Sequence, residues 1–452
     1  MSKRILVIAA MLLLALPFAS IMAQDAGTIV DVAAGSEDFS TLVSLVEAAG
    51  LTETLAGEGP FTVFAPTNDA FAKLPQPVVD YLLANPDLLT RVLTYHVIPG
   101  ALTAANVLAA PSLTTAEGSD LTVNAALSRV NGATIVSTDV AASNGVIHAI
   151  DSVVLPTIEL PAVDPLAVAD NIIAAGSSTV YPVTERMADL FNQDGFAGTI
   201  TVDSIGSGAG FERFCVNAET DIANASRPIR DAEAEACAGN GRTPIEYYIA
   251  VDALAVVVSA ENTFVDSLSI EQLNTIFSGA AATWADVNPE WPAEAIRLFS
   301  PGTDSGTFDY FVEVVFDEDE TPILNAPGIQ LSEDDNVLVA GVEGSPYAIG
   351  YFGYAYYVVN QDRLRAVNIE GIEPNAATAE SGEYPLSRPL FIYSDASIMA
   401  EKPQVAAFIN YYLSSVEAQL GTNPGQIGYF PVNSDVLNLD RLEWLAATAG
   451  GM

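Results

Sequence analysis

The hydrophobic positions in the first third of the chain predict a small α/β module. Residues 42–49 place leucine and valine at helical spacing, and Gly50 ends the pattern, as is typical of a helix C-terminus. The apolar run of residues 61–64 predicts a short strand, and the alternation within residues 144–156 predicts another. Helices and strands therefore alternate in this part of the chain.

Further along, one local pattern occurs three times: glycine, serine and threonine residues followed by a hydrophobic stripe at helical spacing. It is found in residues 174–191, 204–215 and 300–315. Each predicts a helix N-terminus, where backbone N–H groups and hydroxyls can hold an oxyanion without a lysine. An ordinary serine or threonine cap is the alternative for any single case. Three such helix starts in one region favour a single oxyanion site to which all three contribute.

Proline density marks the boundary between these two parts. Three prolines within residues 155–170 follow no clear period, and we place a semi-rigid linker at residues 158–167. At the N-terminus, Lys3 and Arg4 precede an apolar stretch and then small residues, which predicts a signal peptide over residues 1–23. An uncleaved anchor is the alternative. The mature chain is expected to be soluble outside the cytoplasm.

Length and charge limit the classes of function. With 452 residues the chain is too long for one hydrophobic core, so two or three domains are expected. The formal net charge is −41, from 57 acidic and 16 basic residues, and the basic residues form no run. Because binding to nucleic acid or to an anionic membrane needs a basic surface, neither partner is expected.

Cysteine and histidine, the usual ligands of a zinc site, are rare in this chain. Cys215 and Cys237 are the only cysteines, and an even count in an exported protein favours a disulfide. Two buried free thiols or a metal site are the alternatives. The two histidines, His96 and His148, are interpreted as core residues hydrogen-bonded to the backbone. We therefore expect no metal site and no cofactor.

Three motifs of the first part occur together in a known family. They are residues 61–71 (FTVFAPTNDAF), 95–100 (YHVIPG) and 143–156 (SNGVIHAIDSVVLP). In this order and spacing they resemble the fasciclin domain, over residues 27–157. The resemblance implies a compact α/β module that acts in cell adhesion or in attachment to a matrix. It does not name the partner.

The second part carries a longer series of motifs: GSSTVYP, SIGSGAGFERFC, DIANASRPI, SPGTDSGTFDYF, GSPYAIGYFGYAYY and GYFPVN. In this order they resemble the phosphate-binding proteins of bacterial ABC importers. The resemblance implies a two-lobed periplasmic-binding-protein fold (type II) with inorganic phosphate in the cleft and closure by a hinge motion. We assign residues 168–452 to this domain. Lobe 1 is expected at about 168–250 and 390–452, and lobe 2 at about 251–389.

The same resemblance implies a phosphate site. Carried over motif by motif, its residues are Ser178 and Thr179 at the first helix start, Ser207 at the second, and Ser305, Gly306 and Thr307 at the third. The chain departs from the family pattern twice. Ser226 stands where an aspartate accepts the proton of the ligand, and Pro301 stands where an arginine precedes the third helix. Arg227 is the expected replacement for the cation, and Asp304 for the acceptor.

Both replacements have an alternative role. The alternative for Arg227 is a structural or exposed salt bridge, and the alternative for Asp304 is a turn residue that points outward. The acceptor determines specificity, because phosphate near neutral pH keeps a proton to donate and sulfate has none. A carboxylate in the pocket therefore favours phosphate and repels sulfate.

The sequence supports one leading function. We expect an exported protein, periplasmic or at the cell surface, that binds inorganic phosphate and delivers it to an ABC permease complex. Its fasciclin domain is expected to attach it to a surface, a matrix or a partner. The alternative is an adhesion or structural protein whose two-lobed domain binds another oxyanion or no ligand. A hydrolase is not expected, because the second part contains no histidine that could activate a serine.

Overall fold

The computed structural model describes residues 27–303, 305–421, 423 and 426–450. The chain divides into two compact units, Met1–Pro156 and Thr157–Met452. The predicted signal peptide, residues 1–23, lies outside the described residues. Within the described ranges, no helix is both long enough and apolar enough to span a membrane.

The first unit combines short helices with one seven-stranded sheet. Its elements are α1 (Ile29–Ala34), α2 (Ser40–Ala48), α3 (Thr52–Ala56), β1 (Phe61–Pro66), α4 (Asn68–Ala72), α5 (Gln76–Ala84), α6 (Pro86–Tyr95), β2 (Val97–Pro99), α7 (Ala104–Leu108), β3 (Ser112–Thr114), β4 (Asp120–Asn124), β5 (Arg129–Val130), β6 (Ala133–Ala142) and β7 (Gly145–Ile150). The strand order is β2-β1-β7-β6-β5-β4-β3. Strands β1 and β7 are parallel, and the other neighbours are antiparallel. The predicted helix and both predicted strands are confirmed as α2, β1 and β7.

The two histidines of the first unit are buried core residues hydrogen-bonded to the backbone. His96 Nε2 accepts the N–H of Val154 at 3.2 Å, so Nδ1 carries the proton and donates to the carbonyl of Val92 at 2.7 Å. Burial lowers the pKa of His96 to about 4. His148 is also buried, accepts a backbone N–H at Nδ1, and donates from Nε2 to the carbonyl of Leu102 at 2.9 Å. The interpretation as backbone-bonded core residues is therefore confirmed.

The second unit contains a nine-stranded sheet and a separate two-stranded sheet. Its elements are β8 (Ile172–Gly176), α8 (Tyr181–Gln193), β9 (Ile200–Ser204), α9 (Ser207–Phe211), β10 (Ile222–Ala225), α10 (Asp231–Gly239), β11 (Ile245–Ser259), β12 (Ser267–Leu268), α11 (Ile270–Phe277), α12 (Trp284–Val287), β13 (Arg297–Pro301), α13 (Gly306–Phe316), α14 (Thr321–Leu324), β14 (Gln330–Ser332), α15 (Asp335–Glu343), β15 (Ala348–Gly353), α16 (Tyr354–Val358), β16 (Leu364–Ala366), β17 (Asn368–Ile369), α17 (Ala376–Glu380), β18 (Ser387–Ser394), α18 (Ala396–Glu401), α19 (Pro403–Gln419) and α20 (Ser434–Thr448). Strands β12 and β17 form the small sheet.

One long strand, β11, joins the two halves of the large sheet. Its residues 245–253 pair antiparallel with β18, whereas residues 254–258 pair antiparallel with β15. The strand order is β14-β13-β15-β11-β18-β10-β8-β9, with β16 also paired to β11. The side of β15, β13 and β14 and the side of β10, β8 and β9 are therefore two lobes that share the β11 strand.

The segment predicted as a linker, residues 158–167, lies against the C-terminal helices of the second unit. The N–H of Ile158 donates to Asn438 Oδ1 at 2.9 Å, and Asn410 Nδ2 donates to the carbonyl of Pro161 at 3.1 Å. Ile158 is also buried. These contacts hold the beginning of the second unit on α19 and α20.

Cys215 and Cys237 form a disulfide, as predicted, and their Cα atoms are 4.0 Å apart. Cys215 lies in the π-helical turn Glu212–Val216 that follows α9, and Cys237 lies in α10. Both residues are buried. In the chain-entropy description, closing a loop of this size stabilises a fold by about 3 kcal/mol. The bond therefore strengthens the region directly after the second helix start.

Candidate functional site

The segments that follow β8, β9, β10 and β13 line one cavity of the second unit. The edge at which strands end is where ligands bind in open α/β sheets. The cavity has a volume of about 410 Å³. Its hydroxyl and charged lining residues are Ser177, Ser178, Ser207, Ser226, Arg227, Arg230, Asp309, Glu313, Glu318, Glu320 and Arg388.

The first helix start lines the cavity with Ser177 and Ser178 and offers the Thr179 hydroxyl to an arginine. Ser177 is buried, and its Oγ accepts the N–H groups of Thr179 at 3.2 Å and Val180 at 3.4 Å. Ser177 thereby stabilises the turn before α8. Ser178 lines the cavity. Thr179 is buried, and its Oγ1 accepts a hydrogen bond from Arg388 Nη2.

The second helix start places two serines side by side. Ser207 Oγ accepts the N–H of Ser226 at 3.1 Å, and the two hydroxyl oxygens are 3.2 Å apart. Gly206 precedes them with a φ of +85°, a conformation that favours glycine. Both serines line the cavity, so α9 and the end of β10 offer two hydroxyls at one wall.

The third helix start lies against the first. Ser305 is the N-cap of α13, and its Oγ accepts the N–H of Thr307 at 3.2 Å. A Cβ atom added at Gly306 would lie 2.9 Å from Thr179 Oγ1 and 3.3 Å from Ser178 Oγ, so a larger residue would push these hydroxyls aside. Among the described residues, those that line the cavity do not include Ser305 or Thr307. The Ser305 hydroxyl therefore acts as a helix cap.

Arg388, which the sequence reasoning missed, connects the first and third helix starts. Its Nη2 donates to the carbonyl of Gly306 at 2.8 Å and to Thr179 Oγ1, and its Nε donates to Asp252 Oδ2 at 3.1 Å. Its guanidinium carbon lies 4.1 Å from the ring centroid of Tyr310. Arg388 is only 6% exposed, yet it lines the cavity. A firmly held cation therefore lies beside the hydroxyl donors.

One feature of the sequence indicates that Arg388 has a special role. Arg388 is a single charged residue inside the apolar strand β18, and an unpaired charge in such a strand would be costly. A buried arginine in a strand must therefore have partners elsewhere in the fold. Its position in the strand does not indicate which residues these are.

Arg227, the cation expected from the sequence, lines the same cavity and pairs with Glu233. Its Nη1 and Nη2 donate to the two carboxylate oxygens of Glu233, at 2.8 and 2.7 Å. The structural salt bridge named as the alternative for Arg227 is therefore present. The cation hydrogen-bonded to the first and third helix starts is Arg388.

Carboxylates also line the cavity, and Asp309 is the one bonded to a serine of the first helix start. It lies in the first turn of α13, and its Oδ2 accepts the Ser178 hydroxyl at 3.5 Å. Burial raises the pKa of Asp309, and the positive charge of Arg388 opposes this effect. Asp304, the acceptor expected from the sequence, lies outside the described residues.

The donor set suits the reversible binding of an oxyanion. The hydroxyls of Ser178, Ser207 and Ser226 and the guanidinium of Arg388 surround one space. Both histidines of the chain belong to the first unit. In the part of the chain that the structure describes, no group of three or more His, Cys, Asp or Glu residues could hold a metal ion.

Comparison with known families agrees with this geometry. A model described as the PBP superfamily domain matches residues 162–416, more than half of the chain. The chain belongs to the PBP superfamily. A model of the fasciclin domain matches residues 37–156, before the PBP domain. The resemblance predicted from the sequence, a fasciclin domain followed by a domain of the phosphate-binding protein family, is confirmed.

Individual relatives show how far the similarity extends. Protein SphX of Synechocystis sp. is 37% identical over 300 residues, which cover 64% of this chain and 87% of the relative. Phosphate-binding protein PstS of Staphylococcus saprophyticus is 38% identical over 243 residues, or 53% of this chain and 74% of the relative. The crystal structure of a possible phosphate binding protein from Planctomyces limnophilus has a TM-score of 0.57 at 36% identity, covering 62% of this chain and 99% of that chain. The predicted fold class, an α/β module followed by a two-lobed periplasmic-binding-protein fold, is confirmed.

Proposed function

We propose that the PBP domain binds inorganic phosphate in the cavity beside Arg388 and delivers it to an ABC permease complex. The observation that carries this proposal is Arg388, a buried cation bonded to Thr179 and Gly306 at two helix N-termini. Relatives named as phosphate-binding proteins support the choice of anion. Binding and release require no covalent chemistry, so the proposal describes a binding protein and not an enzyme.

The proposed ligands of phosphate are the side chains of Ser178, Ser207, Ser226 and Arg388. A guanidinium and hydroxyl groups match the oxygens of phosphate, and hydrogen bonds to an ion are about twice as strong as neutral ones. Thr179 and Gly306 hold Arg388 in place. The acidic residues far from the cavity do not oppose this, because charges more than about 8 Å apart are largely screened at physiological salt.

Binding is proposed to close the two lobes around the anion. Arg388 lies in β18, which pairs with β11, the strand that the lobes share. Its partners Thr179 and Gly306 belong to different lobes of the expected division. An anion held by Arg388 together with Ser178 and Ser207 would contact both lobes of the expected division, which is how hinge closure is driven in two-lobed binding proteins.

We propose that the protein works outside the cytoplasm and that its fasciclin domain attaches it to a cell surface, a matrix or a partner. The predicted signal peptide and the match of residues 37–156 to the fasciclin domain support this. The division of the chain into two compact units also fits separate tasks of binding phosphate and of attachment.

Two experiments test the proposal on the full mature chain and on a variant that lacks residues 27–156. Thermal unfolding with and without phosphate tests phosphate binding, and sedimentation with cell envelopes tests attachment through the fasciclin domain. Phosphate at about one hundred times its dissociation constant should stabilise either protein by about 2.7 kcal/mol. Only the full chain should sediment with envelopes of the producing cells. A folded full chain that phosphate does not stabilise would contradict phosphate binding. Equal sedimentation of the two proteins would contradict the role of the fasciclin domain.

A further inference from the structure

The cavity of the second unit has walls of opposite charge. Arg227 and Arg230 lie between β10 and α10 and line it on the lobe of β8, β9 and β10. Glu313, in α13, and Glu318 and Glu320, which follow α13, line it on the lobe of β13. The two lobes therefore present cations and carboxylates to each other across one space.

The charges of the acidic wall act on other groups of the cavity. Hydrogen bonds to Glu233 raise the pKa of Arg227, and the negative charge of Glu313, on the other lobe, adds to this effect. Burial raises the pKa of Asp309, and the negative charge of Glu320 adds to that shift. The electric field of the acidic wall therefore extends into the cavity and reaches the opposite lobe.

Two of these charges lie where the local fold disfavours them. Arg230 is the N-cap of α10, and a helix dipole favours negative charge at that end. Glu318 follows Asp317, the C-cap of α13, where the dipole favours positive charge. Glu318 also has a φ of +70°, a conformation that glycine or asparagine adopts more readily than glutamate. The stability of the two helices therefore explains neither charge.

The side chains of Arg230, Glu318 and Glu320 are free to pair with one another. All three residues are exposed. Among the described residues, none of the three forms a salt bridge. Glu233, an acidic residue in the first turn of α10, binds Arg227 with both of its carboxylate oxygens. A carboxylate for Arg230 is therefore offered by the opposite wall.

We propose that Arg230 forms salt bridges with Glu318 and Glu320 when the lobes close, and that this latch holds the protein closed around phosphate. The inference rests on the proposed function, because closure is proposed to follow phosphate binding. Closure narrows the cavity and moves the walls of opposite charge toward each other. The glutamates then pair with Arg230, and Arg388 remains available to the anion.

The expected strength of the latch suits a protein that must reopen to release its ligand. Salt bridges between exposed side chains shift an equilibrium by no more than about fivefold. A contribution of this size slows the dissociation of phosphate but does not trap it. A buried ion pair, which is costly to break, would oppose reopening more strongly.

A double-mutant cycle tests the latch by titration calorimetry of the full mature chain with inorganic phosphate. The proteins are the wild type, Arg230→Gln, the double variant Glu318→Gln/Glu320→Gln, and the variant with all three changes. We expect Arg230→Gln to weaken phosphate binding about threefold to fivefold when both glutamates are present, and less than about 1.5-fold when both are replaced. The difference should shrink at about 1 M sodium chloride, where charges are screened beyond about 3 Å.

Stopped-flow kinetics of phosphate binding distinguishes a latch from simple attraction of the anion. A latch forms after closure, so its loss should raise the dissociation rate constant of phosphate. Loss of electrostatic attraction would instead lower the association rate constant. Arg297→Gln is the matched control, because Arg297 is an exposed arginine of β13 outside the cavity lining. Its effect should be the same with and without the two glutamates.

The possible outcomes separate this inference from the proposed function. If Arg230→Gln weakens binding equally in both backgrounds, or changes only the association rate constant, the latch does not exist, although the phosphate site stands. If a folded wild type does not bind phosphate, the proposed function itself fails. Unfolding curves identify any variant whose fold is altered. Arg230→Lys keeps the charge and should keep the slow dissociation of the wild type, so its rapid dissociation would also contradict the latch.

Discussion

At the scale of residues, Ser305 and Arg388 contribute to the cavity in different ways. Ser305 bonds to the backbone of Thr307 and stabilises the first turn of α13. That turn presents the carbonyl of Gly306 to Arg388. Ser305 therefore supports the cation indirectly, whereas Arg388 itself lines the cavity.

Replacing Ser305 by alanine should remove the cap and lower the free energy of unfolding by about 1 kcal/mol, the usual cost of losing a serine N-cap. Ser305→Asp should retain most of the stability, because aspartate caps helices as well as serine does. Urea unfolding without phosphate measures both variants. If Ser305→Ala is as stable as the wild type, the hydroxyl does not contribute as a cap.

Local spacing predicted the hydroxyl residues but not the arginine. Ser178 and Ser207 precede hydrophobic helical stripes, and this pattern is visible within about a dozen residues of sequence. Arg388 lies 209 residues from Thr179 and 82 from Gly306. Its role depends on how β18 pairs with β11, and this long-range pairing is not encoded in any short segment.

At the scale of elements, the helices that begin at the cavity were the most predictable. Both α8 and α13 have a hydrophobic stripe and a polar start, and Val183, Met187 and Phe311 are buried as the stripes predict. The second helix start was less predictable, because α9 continues as the π-helical turn Glu212–Val216. A change in hydrogen-bond period depends on tertiary packing more than on local propensity.

The packing of α20 against β11 brings acidic side chains together in the protein interior. Burial raises the pKa of Glu443, in α20, to about 8, and the negative charge of Glu246, in β11, adds to this effect. Burial also raises the pKa of Asp440, and Glu443 is the next cause. The positive charge of Arg441 opposes the shift of Asp440 only in part. The folded state therefore favours the protonated carboxyl groups.

This packing predicts that stability falls as the pH rises. A glutamate in an unfolded chain has a pKa of about 4.3, so the native state binds the Glu443 proton more tightly. Its stabilising contribution is complete below this value and is lost as the pH approaches 8, at up to about 1.4 kcal/mol per pH unit. Urea unfolding at several pH values should show a smaller decline in Glu443→Gln than in the wild type.

Glu401→Gln is the matched control, because Glu401 is an exposed glutamate of α18. The stability of Glu401→Gln should fall with rising pH as much as that of the wild type does. If Glu443→Gln also retains the full decline, protonation of Glu443 does not contribute to the stability of the second unit.

At the scale of the whole molecule, the two units are built on different principles. The first unit has a meandering sheet in which sequence neighbours pair, except for the parallel pair β1 and β7. The second unit depends on pairings between distant segments, such as β11 with β18. Family motifs were needed to predict the second unit, because hydrophobic periodicity alone does not determine which distant strands pair.

The central claim is that one phosphate ion binds beside Arg388, and titration calorimetry of the ligand-free full chain tests it most directly. Arg388→Lys keeps the charge that pairs with Asp252 but loses the planar fork of donors. Arg363→Lys changes an arginine that pairs with Glu343 away from the cavity lining and serves as the control. We predict one phosphate per wild-type chain with a dissociation constant of about 1 μM or lower, about tenfold weaker binding in Arg388→Lys, and no change in Arg363→Lys. A folded wild type without heat of binding, or equal affinities in all three proteins, would contradict the account.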